Sequence, residues 1–441
     1  MDISNKVFIE SAFQPEIFGD EMYDLICRLY PICRSITGDG VRETLSIIHE
    51  MVPIEIHEIK TGTRVFDWTV PKEWNIQDAY IKDGSGRRVV DFKESNLHVV
   101  SYSTPVKEKM PLAELKKHLH TIPDMPECIP YRTSYYQSDW GFCLKHKDLL
   151  ALNDEEYEVS IDADLKDGYM TYGEFFKQGE LADEVVFFSH CCHPSMCNDN
   201  LSGLAVIALV ARFLQSFSLR YSYRFLFAPA TIGSITWLAQ NENNVHHIKH
   251  GLVASNLGDA GCSTYKKSRK GDAEIDKAFQ HILKNSGKPF DIQAFQPYGY
   301  DERQFCSPGF NLPFGRLTRS PNGSYPEYHT SADNLDFVKP EHLFDSFYKI
   351  VSVINILENN KTYQNQSPKC EPQLGKRGLY RQKGGLQNAG HFELALLWIL
   401  NLSDGQNSLL DIAERSKLDF NVIFSGAQAL LDCGLLAEAT S

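Results

Sequence analysis

The sequence predicts an α/β protein that carries an inserted β-rich domain and a C-terminal winged-helix domain. Between residues 156 and 360, short apolar runs of strand length alternate with longer apolar runs of helix length. Such alternation is typical of a sheet covered by helices on both faces, so we expect a doubly wound sheet. Residues 53–155 instead show short β-branched and aromatic runs between turn residues, and residues 375–441 show three helical segments followed by a glycine turn. Residues 1–52 have a helical pattern, and we assign them to the α/β domain.

Within the α/β domain, each element is predicted from an apolar run and the residues that bound it. The predicted strands are Val185–Ser189, Tyr223–Phe227 and Gly251–Ser255. The predicted helices are Gly203–Phe217, Ser234–Glu242, Asp272–Asn285 and Glu341–Glu358. In the inserted domain, Asp83–Gly86 predicts a hairpin turn and Leu97–Tyr102 a strand. Residues 359–374 are polar and contain two prolines, so we interpret them as a linker.

The composition excludes several broad classes of protein. A chain of 441 residues is too long for one ordinary core, so we expect two or three domains. The net charge of −13 argues against a general nucleic-acid binder, which would show a basic field. No run has the apolar length of a membrane span, and the N-terminus lacks the pattern of an export signal. The 11 cysteines are therefore expected to be reduced thiols in the cytoplasm.

Two loops outside the predicted sheet have both a plain and a functional interpretation. The polar glycine loop Arg34–Gly40 separates two helical segments and is most simply a turn, the alternative being a substrate contact through Arg34. The aromatic stretch Ser134–Cys143 contains Tyr136 and Trp140, which would line a pocket or, more commonly, pack in a core. From the residues alone we favour the plain interpretation of both loops.

The C-terminal segment predicts a winged helix with helices at Phe392–Leu400, Ser408–Ala413 and Val422–Leu431. DNA binding is the obvious function of such a domain. The third helix would be the recognition helix, and it contains no Lys or Arg, which contacts to bases and phosphates usually need. We therefore expect this domain to contact a protein partner or a second copy of the chain rather than nucleic acid.

Metal-binding chemistry is suggested by residues at the predicted strand ends, where open α/β sheets bind ligands. His190 follows the first strand, and Asp199 lies just before the next helix; an imidazole and a carboxylate together suit zinc. Asp259 lies in a glycine-lined turn after the third strand, and His329 in a later loop. Each also has a plain interpretation: a hydrogen-bonded His–Asp pair, a turn former and a surface histidine. The nearby Cys191, Cys192 and Cys197 are soft ligands or, more commonly, small buried hydrophobes.

In this order and context, the four residues resemble the site of the zinc aminopeptidase superfamily, which includes bacterial leucyl aminopeptidases, glutamate carboxypeptidases and glutaminyl cyclases. The resemblance implies a zinc-aminopeptidase-like fold at residues 156–360 with the helices of 1–52. It also implies metal ligation by His190, Asp199 and His329, with Asp259 a fourth or second-site ligand. More narrowly, the stretches Cys33–Gly38 and Trp140–Cys143 resemble a subgroup with an inserted β domain and a winged helix, often associated with polysaccharide or small-molecule gene clusters.

The chain departs from the superfamily pattern at three positions. Cys192 stands where an Asp usually orients the first His. Thr231 stands where a Glu binds the second metal, so we expect one zinc, or one iron in its place. Ala230 stands where a Glu acts as general base, and a methyl group cannot take a proton. An engineered knockout, a natural pseudoenzyme and a base elsewhere, with Glu302 the nearest candidate, are the three explanations. We favour the knockout because the rest of the site is intact in the sequence.

The resulting prediction is a cytoplasmic, zinc-dependent, aminopeptidase-like hydrolase of a peptide or amide bond, inactive in this chain if Ala230 replaces the base. Arg34, Tyr136, Trp140, Asp301 and Arg303 are the candidate substrate contacts. Two rival functions remain at this point: a non-catalytic binder of peptides or small molecules, and a regulator acting through the winged helix.

Overall fold

The structure is a computed structural model that describes residues 14–379 and 389–439. The N-terminal residues examined for an export signal lie outside this range. Contacts divide the chain into two compact units, of which the first is Met1–Ala273 with Pro289–Ile350 and the second is Glu274–Lys288 with Val351–Ser441. Each unit is described by itself.

The helices and strands follow one another along the chain in the order predicted for an α/β protein with two added modules. The helices are α1 (Pro15–Leu29), α2 (Asp39–Met51), α3 (Leu112–Leu115), α4 (His146–Leu150), α5 (Gly203–Leu214), α6 (Ile232–Asn241), α7 (Glu274–Asn285), α8 (Glu302–Phe305), α9 (Pro340–Asn359), α10 (Ala389–Leu402), α11 (Leu409–Ser416) and α12 (Phe420–Asp432). The strands are β1 (Glu55–Lys60), β2 (Arg64–Val65), β3 (Trp68–Thr69), β4 (Glu73–Lys82), β5 (Arg88–Asp91), β6 (Val106–Pro111), β7 (Leu119–His120), β8 (Phe142–Cys143), β9 (Glu156–Lys166), β10 (Tyr169–Lys177), β11 (Glu184–His190), β12 (Ser222–Ala228), β13 (Ile248–Ala254), β14 (Ser263–Lys266), β15 (Phe290–Gln293), β16 (Phe314–Thr318), β17 (Thr362–Asn365), β18 (Asp404–Ser408) and β19 (Leu436–Glu438).

The first unit is built on an eight-stranded mixed sheet with the order β1-β10-β12-β11-β13-β16-β14-β15. Its four central strands, β12, β11, β13 and β16, run parallel, whereas β1 and β10 are antiparallel. Nearly every residue of β11 and β13 is buried, as expected for parallel strands covered on both faces. The predicted α/β class is therefore confirmed.

Helix α5 packs against the sheet and forms part of the core. All its residues from Gly203 to Ala211 are buried, because the helix is apolar around its whole circumference. The stretch Cys197–Leu214 is long and apolar enough to cross a membrane by length and composition, yet 89% of that window is buried inside the structure. Its apolar character is thus accounted for by its place in the core.

The inserted β-rich segment forms a four-stranded antiparallel sheet with the order β5-β4-β9-β6. The predicted hairpin is present at Asp83–Gly86, where the Gly86 amide donates to the Asp83 carbonyl over 2.9 Å. The boundaries differ from 53–155, because β1 pairs with the central sheet and β9 belongs to the inserted one. Residues Leu97–Tyr102 were predicted as a strand, but Asn96–His98 is a 3-10 helix whose Leu97 amide is capped by the Ser95 hydroxyl.

The C-terminal part of the second unit has α10, α11 and α12 together with a three-stranded sheet of order β18-β17-β19. Strand β19 lies where a wing was expected after Gly434. Strand β17 lies inside the predicted linker 359–374 and pairs with both other strands, so the linker prediction is wrong for these residues. Its sequence gave little sign of this, because only Tyr363 and Asn365 are buried and its residues are polar apart from the tyrosine.

Candidate metal centre

The candidate site lies at the carboxyl ends of the parallel strands, where α/β sheets bind ligands. His190 is the last residue of β11 and is in register with Ala228, the last residue of β12. The chain then turns from His190 through a buried loop to Asp199 before α5 begins. Parallel pairing therefore brings the His190 loop beside the segment that contains Ala230.

Three imidazoles meet the carboxylate of Asp199. Its Oδ1 lies 3.1 Å from His190 Nε2, and its Oδ2 lies 3.0 Å from His329 Nε2 and 3.8 Å from His193 Nε2. Asp199 and His190 are fully buried, whereas the side chain of His329 is 34% exposed. The ligand atoms of His193, Asp199 and His329 all lie within 4.8 Å of one another. The structure thus brings together three sequence-predicted ligands and adds His193.

His193 was missed because the sequence argument followed the superfamily spacing, which places the second functional residue of this loop at position 192. The sequence does contain one indication, because a second histidine three residues after His190 can reach the same cluster when the loop between them is tight. Nothing in the spacing alone required it to do so.

The hydrogen-bond inventory of this cluster fits a metal ion. His190 Nε2, His329 Nε2 and Asp199 Oδ2 are buried and have no hydrogen-bond partner, although most buried polar atoms in proteins are paired. Their separations of about 3 Å without hydrogen-bond geometry are the separations expected of atoms that ligate one cation. Imidazole and carboxylate ligands suit zinc or another first-row transition metal.

The electrostatics of the cluster favour the protonation states that metal binding requires. Burial would raise the pKa of Asp199, but the three imidazoles around its carboxylate hold that pKa well below its usual range. Burial lowers the pKa of His193 well below its usual range. Both shifts favour deprotonated side chains, as metal binding requires, since protonated ligands cannot bind a cation.

Asp333 fixes the backbone that carries Asp199. Its carboxylate accepts hydrogen bonds from the amides of Asn198 at 2.6 Å and Asp199 at 2.9 Å. Burial raises the pKa of Asp333 to about 8. Because His329 and Asp333 belong to one short segment, this segment supplies a ligand and also positions the central carboxylate.

Cys192 lies behind two of the imidazoles. Its Sγ is 3.2 Å from His193 Nδ1 and 3.9 Å from His190 Nδ1, and the Nε2 atoms of both rings face Asp199. Burial raises the pKa of the Cys192 thiol well above its usual range. The thiol therefore takes the place of the orienting Asp of the superfamily and contacts both rings at once.

Arg34 is buried and supports the same loop. Its Nε donates to the His193 carbonyl at 3.0 Å, and its Nη1 donates to the Leu29 carbonyl at 2.7 Å. The side chain has no exposure to solvent, and burial lowers its pKa to about 10. A direct substrate contact was predicted for Arg34, whereas the structure gives it a role in holding the loop.

Tyrosine rings surround the imidazoles. The Tyr300 hydroxyl lies 3.3 Å from Asp199 Oδ1 and 3.2 Å from the amide oxygen of Asn256, and its ring stacks on His190. Tyr328 stacks on His329 at a centroid distance of 4.0 Å, and Tyr131 meets the same ring edge-on at 5.1 Å. No sequence pattern distinguishes these three among the 20 tyrosines of the chain.

Asp259 was predicted as a ligand, but the structure does not bring it to the cluster. Its carboxylate accepts hydrogen bonds from Asn198 Nδ2 at 2.8 Å, from the Gly261 amide at 2.6 Å, and from the hydroxyl and amide of Ser320. These donors satisfy both oxygens. Asp259 therefore acts through Asn198, the neighbour of Asp199, while Asn256 is the residue after β13 that approaches the site.

Glu302, the alternative base, is also placed elsewhere. It is fully buried, pairs with the Lys266 ammonium and lies 3.6 Å from Arg316. Its neighbour Asp301 is equally buried and accepts a hydrogen bond from the Ser234 hydroxyl at 2.5 Å; burial raises the pKa of Asp301 to about 7. Arg303 is half-buried, and its Nε has no hydrogen-bond partner.

The remaining predicted residues differ in their proximity to the cluster. Ala230 is half-buried, and its carbonyl lies 3.9 Å from Cys192 Sγ. Tyr136 is 49% exposed, and burial of its hydroxyl raises its pKa to about 12. Trp140 stacks on His118 at 3.8 Å and packs against the core, so it follows the plain interpretation.

The arrangement agrees with comparisons to known proteins. The family described as "Domain of unknown function (DUF4910)" matches residues 23–360, and a winged helix-turn-helix family matches residues 361–438. The chain belongs to the DUF4910 family. A relative from Clostridium acetobutylicum, named "Putative polysaccharide biosynthesis protein with aminopeptidase-like domain", is 55% identical over 95% of this chain and 96% of its own length.

Solved structures place the DUF4910 fold beside that of the zinc aminopeptidases. A crystal structure titled as a "putative peptidase" from Clostridium acetobutylicum is 52% identical, covers 96% of this chain and 97% of its own, and has a TM-score of 0.92. A zinc aminopeptidase from Bacillus subtilis is 13% identical, covers 77% of this chain and 94% of its own, and has a TM-score of 0.56. The second likeness shows the fold alone. The expected zinc-aminopeptidase-like fold and the C-terminal winged-helix domain are confirmed.

Proposed function

We propose that this protein is a metal-dependent hydrolase of an amide bond, of the aminopeptidase type, whose general-base position is occupied by Ala230. One observation carries the proposal: three imidazoles converge on the buried carboxylate of Asp199 and leave three buried atoms without hydrogen-bond partners. The substrate is a peptide or an amide of a small molecule, and the name of the Clostridium relative supports a substrate connected with polysaccharide synthesis.

In this proposal each residue of the site has a distinct task. His190, His193, His329 and Asp199 hold one metal ion, which when bound would polarise the scissile carbonyl and acidify water to a pKa of about 7. Cys192 keeps two of the imidazoles in the orientation in which their Nε2 atoms face Asp199. The Tyr300 hydroxyl fixes the rotation of the Asp199 carboxylate.

The proton-accepting task has no residue at the expected position. The segment of Ala230 approaches Cys192, but a methyl group accepts no proton. Glu302 is a weak substitute, since Lys266 and Arg316 neutralise its charge and it has no exposure to solvent. The chain as it stands should therefore bind metal and substrate and turn substrate over slowly, whether Ala230 is an engineered or a natural replacement.

The test is to supply the missing base. Ala230→Glu should increase the rate of hydrolysis of an aminoacyl amide, such as leucine anilide, by about 10²–10⁴-fold. Ala230→Gln is the matched control, because glutamine has the same size as glutamate and its side chain accepts no proton at neutral pH. Metal content should be about one per chain in all three proteins. If the parent chain is already fast, Ala230→Glu adds nothing and Glu302→Gln abolishes the activity, then Glu302 is the base.

A non-catalytic binding protein is the second candidate, and Ala230 is the observation that favours it. If Ala230→Glu and Ala230→Gln behave alike and both bind aminoacyl amides without hydrolysis, this second function is the correct one.

For the winged helix, we propose contact with a protein, because α12 contains no Lys or Arg. A cytoplasmic location is part of the same proposal.

A further inference from the structure

Exposed aromatic side chains gather around one small hairpin of the first unit. Strands β2 and β3 form this hairpin, in which Val65 pairs with Trp68 and the turn is Phe66–Asp67. Phe66 is 42% exposed and Trp68 is 44% exposed, although large apolar side chains in a clustered patch are usually covered. Val65 and Val70 are buried in the core and anchor the hairpin beneath these rings.

Each of the two exposed rings contacts an aromatic ring from another loop. Trp68 meets Tyr136 edge-on with centroids 5.3 Å apart, and Phe66 meets Phe310 in the same way at 5.7 Å. Phe66, Trp68, Tyr136 and Phe310 are called the aromatic shelf below. Three separate chain segments build this shelf, so it is a feature of the tertiary fold and not of one loop.

The backbone holds two rings of the shelf in an uncommon conformation. Phe66 has φ of 55° and Tyr136 has φ of 65°, in the left-handed region that bulky residues rarely adopt. The Tyr136 loop is fixed by Ser134, whose amide donates to the Ser101 carbonyl and whose hydroxyl donates to the Tyr102 carbonyl. Such conformations cost free energy and concentrate at ligand sites.

A chain connection and a series of ring contacts link the shelf to the metal centre. Tyr136 follows Tyr135, whose hydroxyl lies 3.0 Å from that of Tyr131, and the Tyr131 ring contacts both His193 and His329. The hairpin also contacts α6, the helix that begins two residues after Ala230. A substrate whose amide lies at the metal centre would extend over the shelf.

We propose that the aromatic shelf binds a sugar ring of the substrate, so that the amide cleaved is one formed on an amino sugar. A pyranose has an apolar face of C–H groups and a rim of hydroxyls. The open aromatic faces of the shelf would contact the C–H groups. The exposed polar residues beside them would bind the hydroxyls; these residues are Asp67, Gln137 and Asp139. A peptide side chain would instead favour a closed apolar pocket, whereas these rings are open to solvent.

The identification of the substrate as an amide of an amino sugar rests on the proposed function. The binding of a sugar ring to the aromatic shelf does not require that function. The probe is N-glycylglucosamine, which joins an amine-bearing acyl group to an amino sugar. Glycyl-cyclohexylamide is its matched control, because it has the same amide and ring size without hydroxyls. The parent chain, which should turn both over slowly, is titrated with each by calorimetry. We expect tighter binding of the glucosamine compound.

Variants then locate the binding. Trp68→Ala and Tyr136→Ala should each weaken the sugar probe by roughly tenfold, and Trp68→Tyr should retain most of the affinity. Tyr169→Ala is the control, because Tyr169 is an exposed aromatic residue on β10 outside the shelf. Melting curves verify that each variant is folded. Equal affinity for the two probes, or unchanged binding by Trp68→Ala, overturns the proposal.

A last arm separates this proposal from the proposed function. Cellobiose has sugar rings and no amide, so the shelf should bind it in metal-free protein, and Trp68→Ala should lose that binding. If this result is obtained while Ala230→Glu hydrolyses nothing, the shelf stands and the hydrolase does not. If Ala230→Glu hydrolyses leucine anilide while neither sugar probe binds, the hydrolase stands and the shelf does not.

Discussion

Asp199 and Glu302 are both fully buried carboxylates of the first unit, yet they have opposite surroundings. Glu302 faces the ammonium of Lys266 and the guanidinium of Arg316. Asp199 faces three imidazoles, and burial lowers the pKa of His193 among them well below its usual range. The difference teaches that burial alone says little about the role of a carboxylate, and that the side chains facing it, cations for Glu302 and imidazoles for Asp199, say more.

Both neighbourhoods contain buried polar atoms without hydrogen-bond partners, the two Oε atoms of Glu302 included, and they differ in whether a cation already faces those atoms. Lys266 donates to the carbonyls of Gln296 and Tyr298 as well as pairing with Glu302, so that pair holds a loop together. Around Asp199, imidazole nitrogens and a carboxylate oxygen remain without hydrogen-bond partners. A cation supplied from solution would satisfy these atoms, whereas the Glu302 cluster already contains its cations.

The largest effect expected from this comparison is the loss of the metal in Asp199→Asn. The substitution keeps the volume and removes the charge shared by the three imidazoles, so metal affinity should fall by more than about 100-fold, the upper end of changes seen for supporting residues. Elemental analysis and competition with a chelating dye measure this. Asp259→Asn is the matched control and should keep the metal, because Asp259 makes hydrogen bonds instead. Retention of the metal by Asp199→Asn would contradict the assignment of the centre.

Glu302→Gln should show the reverse pattern, with metal content unchanged and stability reduced. Removing the charge leaves Lys266 and Arg316 buried without their counter-ion, which typically costs about 3–5 kcal/mol in free energy of unfolding. Denaturant unfolding of the metal-free protein measures this loss without a contribution from bound metal. A variant that unfolds like the parent but loses the metal would place Glu302 in the site.

Much of this could be predicted from the sequence, because strands and buried helices have strong local patterns. The stretch His190–Gly203 was located correctly between β11 and α5, and His329 reached the cluster as expected. The assignments that were wrong or missing depend on tertiary contacts, which local sequence patterns do not show. Asp259 has the right position in the chain, but Ser320 and Asn198 satisfy its oxygens. His193 and Tyr300 enter the site through loop geometry, which no spacing encodes.

The smallest expected effect is that of replacing Cys192. It tests whether the imidazoles of His190 and His193 need a contact at Nδ1 in order to bind the metal. The ammonium of Lys266 can pair with Glu302 without a fixed orientation. An imidazole, by contrast, presents Nε2 to a metal only when its ring is held in one rotation. The Cys192 thiol contacts Nδ1 of both His190 and His193, so Cys192→Ala should weaken metal affinity by about 10–100-fold. Cys191→Ala is the matched control, since Cys191 is the adjacent buried thiol and should leave affinity unchanged. Cys192→Asp should recover part of the loss, because a carboxylate can accept from the same ring nitrogens. Equal metal affinity in the parent, Cys192→Ala and Cys191→Ala would show that the two rings are held by packing against Tyr131 and Tyr300 alone.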